Sequence, residues 1–424
     1  MPARRLAADW LIPVRGTPVR GGALLIGGDG RIVAAGPAET VPAPPGIATQ
    51  EFPGAALVPG LVNTHTHLEL TGLGGRIAAA TFPEWIGQLR RLKEARSREE
   101  FLAAARQGVA DCLSAGVTTV ADTGDSGTVI QALAEAGGSG IAYLEVFGPH
   151  PDQCSESLGD LQRRAGALRP FATGRVRLGI SPHAPYSVSG PLFRAASAWA
   201  RSEGMPLAVH IAESPEELAL LADGSGAFAA AWSGRGIPMP EPAGDSPIAW
   251  LARHGVLGPD LLCIHVVHAG ADDVARLART GSAVAHCPLS NAAHAHGTAP
   301  LGALLAAGIR VGCGTDSVAS VGALDLLAEV RAARAIAGLE AEAAFRLCTL
   351  DAARAIGLDG EIGSLEPGKW GDAAAIAIGE TADPLEAVLA SAPGDVCCTW
   401  VGGAEKFQRV PAPPRLLPLP PSPR

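Results

Sequence analysis

Short apolar runs punctuate the chain, each followed by a polar turn and then by an Ala- or Leu-rich segment. In order they cover residues 56–62, 117–121, 141–147, 176–180, 207–211, 261–267, 283–285 and 309–313. The segments between them carry apolar residues at spacings of three and four, as in 101–113 and 192–199, which predicts helices. Eight strand-like runs alternating with helices predict a parallel α/β architecture, and eight is the number that closes a barrel.

Two connections are long: roughly 54 residues after the first run and roughly 49 after the fifth, and such insertions fall in loops that line the active-site face. The first holds Thr81-Phe82-Pro83-Glu84-Trp85-Ile86, which reads as a lid with one exposed aromatic, Trp85. The second is rich in Gly, Pro and Trp around residues 232–242. The ends differ from the middle. Residues 22–36 read as strand, Gly-rich turn and strand. Near the other end, 363–368 reads as a turn, while 373–378 and 399–401 are strand-like. Both ends can therefore build one small β domain with the barrel inserted between them. Residues 411–424 contain seven Pro and read as an extended tail.

Composition narrows the function classes. Hydrophobic residues make up 47% of the 424-residue chain, enough for a sizeable core. The formal charge is −9 with no run of like charge, which argues against a nucleic-acid partner. No apolar stretch reaches the roughly 20 residues of a membrane span. The eight Cys form no CxxC pair and read as buried reduced thiols, so a soluble, cytoplasmic protein is expected. An apolar terminal β domain would also suit pairing into a homodimer.

The candidate chemistry sits at the ends of the strand runs. In Asn63-Thr64-His65-Thr66-His67 the two histidines are i and i+2 on a strand, so both imidazoles face the same side. His is a common ligand for zinc and related metals, although two surface histidines beside a turn would look the same. His210, His265 and Asp316 end later runs. Together these five residues fall at the C-terminal ends of strands one, five, six and eight, which converge on one mouth in a barrel. A metal there lowers the pKa of water toward ~7. Glu213, three residues after His210, can carry the proton that hydrolysis needs. It can also be read as a helix-start carboxylate before Ser214-Pro215-Glu216-Glu217.

Only three of the 33 basic residues are Lys: Lys93, Lys369 and Lys406. Lys369 and Lys406 fall in the terminal β domain, and Lys93 falls in a charged helical segment. No middle strand offers a Lys to bridge two metals, so one metal is expected.

With these motifs in place, the sequence resembles the amidohydrolase superfamily, in its branch of nucleobase and nucleoside deaminases and chlorohydrolases. The matching segments are 58–67, Ser181-Pro182-His183-Ala184-Pro185-Tyr186-Ser187, His210-Ile211-Ala212-Glu213, His286-Cys287-Pro288-Leu289-Ser290-Asn291, Gly314-Thr315-Asp316-Ser317 and 363–369. The resemblance implies a (β/α)8 TIM-like barrel with a β-sandwich made from both chain ends. It divides the chain into sandwich residues 1–57 and 363–410, barrel residues 58–362 and the tail 411–424. It implies one divalent metal, zinc ahead of iron, on His65, His67, His210 and Asp316, with His265 beside the reacting water or on the metal. Asp316 would accept the water's proton and Glu213 would pass it to the leaving group. His183 and His286 would contact a small heterocyclic substrate, and His296 would lie near the pocket rim. The segment 68–76 departs from the Met- and Leu-rich stretch of many adenosine-type deaminases and is similar to aminodeoxyfutalosine deaminase-like members. Glu69 in it would either face the substrate or pair with an Arg. The expected activity is hydrolytic deamination of an aminated heterocycle. Dechlorination or ring-amide hydrolysis on the same site is the alternative, and an inactive scaffold is the reading from another class.

Overall fold

A computed structural model describes residues 2–240 and 246–409. The Pro-rich tail and the end of the Trp- and Pro-rich stretch at 241–242 lie outside the described residues.

Eight parallel strands form one sheet whose order follows the chain: Leu61–Thr66, Val117–Gly124, Ser139–Val146, Val176–Pro182, Leu207–Ile211, Leu261–His265, Ala283–His286 and Val311–Cys313. They are called the first to eighth barrel strands below. The sheet curls so that its ends meet. The amide of Asp316 donates to the carbonyl of His65 at 3.0 Å, and Thr66 Oγ1 donates to the carbonyl of Asp316 at 3.1 Å. Gly314 permits this approach, because a Cβ there would fall 2.7 Å from the His65 amide nitrogen. Asn63 stitches the same seam, donating to Thr315 Oγ1 at 2.8 Å and accepting from the Thr315 amide at 3.1 Å.

Strand parity sorts the side chains. Ala121, Ile141, Tyr143, Ala208 and Ile264 pack together inside the barrel, while Val120, Ala142, Leu144 and Val209 pack outward with the helices. The two predicted helical segments lie within Arg98–Ser114 and Gly190–Ser202.

Both chain ends build a second, seven-stranded sheet. Its order is Ala404–Gln408, Val396–Val401, Ala373–Ala377, Thr49–Pro59, Arg4–Leu11, Val19–Ile26 and Ile32–Pro37. The turns at its two ends touch: a Cβ on Gly30 would meet the carbonyl of Gly402 at 2.4 Å. The sheet thus wraps around a core containing Leu6, Leu24, Ile26, Leu57, Cys398 and Trp400.

The first predicted run, 56–62, is corrected to two strands. Residues to Pro59 belong to the terminal sheet, and the barrel begins at Leu61. An apolar run continues across the junction because both sheets are buried there. All eight cysteines are free thiols, six of them buried. Among the described residues no helix is long and apolar enough to cross a membrane.

Candidate metal centre and substrate pocket

The C-terminal strand ends bring polar side chains to one mouth. His65 comes from the first strand with His67 just past its end, Thr123 from the second, Glu145 from the third and His210 from the fifth. His265 and His286 end the sixth and seventh, while His183 and Asp316 lie just past the fourth and eighth. Parity places His210 inward with Ala208. It would place His265 outward with Leu261 and Cys263. The left-handed backbone of His265 (φ 72°) accompanies its turn inward, where its ring centre lies 5.7 Å from those of His65 and His210.

That conformation is one of several near the mouth. Of the six described non-glycine residues with positive φ, five are Ala212, His265, Val266, Ala295 and Asp316. Each costs on the order of 1–3 kcal/mol. Local hydrogen bonds hold them: the Val266 amide donates to Ile211 at 3.1 Å and the His268 amide to Ala212 at 2.9 Å.

Five of these side chains form a donor set suited to a metal. Nitrogens of His65, His210 and His265 lie within 4.8 Å of one another, as do donor atoms of His65, His67 and Asp316. His210 Nε2 is 3.3 Å from His67 Nε2, and Asp316 Oδ1 is 3.5 Å from Nε2 of both His65 and His67. Two ligands on one tetrahedral zinc, each about 2.0–2.1 Å from it, would stand about 3.4 Å apart. Among the described residues both buried ring nitrogens of His65 have no hydrogen-bond partner. Burial lowers the pKa of His65 and, with the neighbouring imidazole of His65, lowers that of His67 to about 3, so their lone pairs are free at neutral pH. Burial pushes Asp316 the other way, but His65 and His67 outweigh it and hold the carboxylate ionised. The residues fit a divalent ion. Outer contacts fix them: Asn291 Oδ1 lies 2.9 Å from His265 Nδ1, and Ser290 Oγ donates to Asp316 Oδ2.

Glu213 is buried beside this set. Its Oε1 lies 3.4 Å from His265 Nε2 and 3.6 Å from His296 Nε2, and Tyr186 donates its hydroxyl to Oε2 at 3.4 Å. Burial would raise its pKa, but His265 and His296 reverse this and hold it at about 2. Glu217 grips the backbone leading into Glu213, accepting from the amides of Ala212 and Glu213 at 2.9 Å each. His183 lies between His210 and Phe147, with ring centres 4.8 and 4.9 Å away. Among the described residues both buried ring nitrogens of His286 have no hydrogen-bond partner.

Two expectations change. Trp85 is not an exposed lid aromatic. It is partly buried, stacked over Phe82 at 6.0 Å and edge-on to His294 at 4.7 Å. Phe82 is the inner member of this wall, 4.5 Å from the ring of His296. Glu69 pairs with a lysine, not an arginine. Its Oε1 lies 3.2 Å from Lys93 Nζ, and Ser126 donates to Oε2 through its amide and hydroxyl, so both oxygens have partners within the chain. Lys93 sits on the helix Phe82–Glu94 but reaches the barrel rim, 2.7 Å from Asp125 Oδ1. Burial opposes its charge, yet Glu69 and Asp125 outweigh burial and raise its pKa. A carboxylated lysine must start from a neutral amine, so Lys93 is unsuited to bridging metals.

Sequence reading missed Glu145, Tyr186, Glu217 and the closeness of His296 to Glu213. Glu145 had a signal: it is the only charged residue in the apolar run 141–147, at the same parity as Ile141 and Tyr143. Burial, opposed by Lys93, pushes its pKa up to about 8.

The sequence model of the amidohydrolase family matches residues 56–405. The chain belongs to the amidohydrolase family. Within this family, an aminodeoxyfutalosine deaminase of Deinococcus radiodurans is 35% identical over 327 residues, covering 73% of this chain and 75% of the relative. A 5-methylthioadenosine/S-adenosylhomocysteine deaminase of Symbiobacterium thermophilum is 31% identical over 395 residues, covering 88% and 86%. The crystal structure of an adenosine deaminase from Xanthomonas campestris with bound zinc aligns with a TM-score of 0.84 at 25% identity, covering 95% of this chain and 92% of that one.

Proposed function

We propose that this amidohydrolase is a metal-dependent hydrolytic deaminase of aminated heterocycles, with nucleoside-like compounds as its substrates. The observation that carries the reading is the ionised Glu213 beside His265, next to the His65, His67, His210 and Asp316 donor set. The deaminase relatives support the choice of ammonia as the leaving group.

His65, His67, His210 and Asp316 would hold the metal, with His265 alongside. Zinc is the proposed ion, since imidazole and carboxylate donors suit it and the aligned adenosine deaminase binds it. When bound, the ion supplies Lewis acidity that makes water a competent nucleophile near neutral pH. The water oxygen bonds to the amino-bearing carbon and the carbon–nitrogen bond breaks. Asp316 takes a proton from the water, and the ionised Glu213 receives that proton and passes it to the departing nitrogen, which leaves as ammonia. Tyr186 and His296 orient the Glu213 carboxylate. Phe82 and the helix that carries it wall this chemistry from bulk water. His183 and His286 present ring nitrogens to the substrate. Their pKa values, lowered by burial to about 4 each, keep both imidazoles neutral. Eight free thiols fit a reducing, cytoplasmic setting.

The test is ammonia release by metal-loaded protein from a panel of aminated purines, pyrimidines and nucleosides, with chloride release from chlorotriazines as the contrasting arm. Ammonia from the nucleosides supports the reading. Chloride release without ammonia, or no release from any compound, overturns it.

A further inference from the structure

Around the barrel mouth, buried acids mostly serve the backbone. Asp122 accepts the amide of Leu68 at 2.7 Å, Glu329 that of Leu289 at 2.9 Å, and Glu217 those of Ala212 and Glu213. Glu145 does not share this pattern. It is 2% exposed, and its Oε1 has no hydrogen-bond partner among the described residues. Its main chain is anchored separately, with its carbonyl accepting from Arg164 at 3.0 Å. Parity aims the side chain into the barrel above Tyr143. A carboxylate oxygen, His183 and His210 each place a ligand-type atom within 4.8 Å of one another. A buried polar oxygen without a partner is destabilising, and a ligand donor would remove that cost.

Nearby groups define what such a ligand looks like. Phe147, two residues along, is 38% exposed and lies against His183. Asp125 lies just past the end of the neighbouring second strand, with Lys93 bound to it. The side of the pocket under the third and fourth strands thus pairs an apolar ring with a buried acceptor.

Resting on the deaminase reading above, we propose that Glu145 is a specificity-determining residue that accepts a hydrogen bond from an N–H or O–H donor of the bound heterocyclic compound. The donor is either a ring N–H or a hydroxyl on a ring substituent, and Phe147 covers the adjacent apolar surface.

The experiment uses the full-length, metal-loaded enzyme and its best nucleoside-type substrate. Glu145→Leu should raise KM on the order of 10-fold or more with kcat changed far less, because an interaction made equally in ground and transition states is lost. Glu145→Gln, which keeps a carbonyl oxygen, should recover most of that loss. Substrate analogues with each ring N–H methylated or each hydroxyl removed are then compared on both proteins. One analogue should lose affinity toward the wild type and lose little more toward Glu145→Leu, and it identifies whether the donor is nitrogen or oxygen. Unchanged KM in Glu145→Leu overturns the proposal. So does equal sensitivity of both proteins to every analogue. So does loss of bound metal from folded Glu145→Leu, which would make Glu145 a support for His210. An inactive wild type would instead refute the deaminase reading itself, so the two failures are distinguishable.

Discussion

Two clusters of buried ionisable groups in this protein meet their hydrogen-bonding needs in opposite ways. Where the terminal sheet meets the barrel, Asp372 takes Arg175 at 2.6 and 2.5 Å and the amide of Gly402 at 2.6 Å. Lys369 donates to Ser364 Oγ at 2.7 Å and to the carbonyl of Ile362 at 3.2 Å. At the mouth, His65, His286 and Glu145 are at least as deeply buried, yet each keeps an atom without a partner among the described residues. Burial makes an unmet polar group costly in both places. The seam meets that cost within the chain and is a structural joint. The mouth leaves it open, which is what a site awaiting a cation and a substrate requires.

The sharpest way to break this contrast is His65→Ala. Activity should fall by roughly 10^4-fold or more, as metal-assisted and acid–base contributions are lost together, while the chain stays folded. Full activity, measured as ammonia release, would remove the functional half of the comparison. Glu213→Gln separates proton transfer from metal binding. It should lower kcat by about 10^2–10^4-fold with metal content unchanged by elemental analysis. Arg175→Met probes the other cluster. It strands Asp372 and should cost about 3–5 kcal/mol of stability in denaturant unfolding, with kcat/KM preserved well below the melting temperature. Glu217→Gln lies between the two, since its side chain is structural but its hold is on Glu213. It should lower kcat by about tenfold with KM and metal retained, because a small misplacement of a catalytic group is enough to slow the reaction.

Much of this was legible in the sequence. Parallel strands buried on both faces read as continuous apolar runs, so all eight barrel strands showed. The same continuity hid the boundary near Gly60, where one run feeds two sheets. The candidate ligand residues were visible because strand ends converge by topology alone. The three-residue spacing of Glu213 from His210 brings it beside the donor set, whereas His296 reaches Glu213 from a segment beyond the seventh strand that no periodicity marks. Trp85 and Phe82 are three apart in sequence and either could have faced the pocket; their packing against His294 and His296 decides it. Lys93 was correctly assigned to a helix, but a long flexible side chain reaches partners its secondary structure does not predict.

The most direct test of the account is metal stoichiometry. The full-length protein is stripped with chelator, reloaded with zinc and counted by elemental analysis, alongside Asp316→Asn. The account predicts one zinc per wild-type chain and a markedly weakened site in the folded variant. Two ions per wild-type chain, or one ion held equally well by the variant, would contradict it.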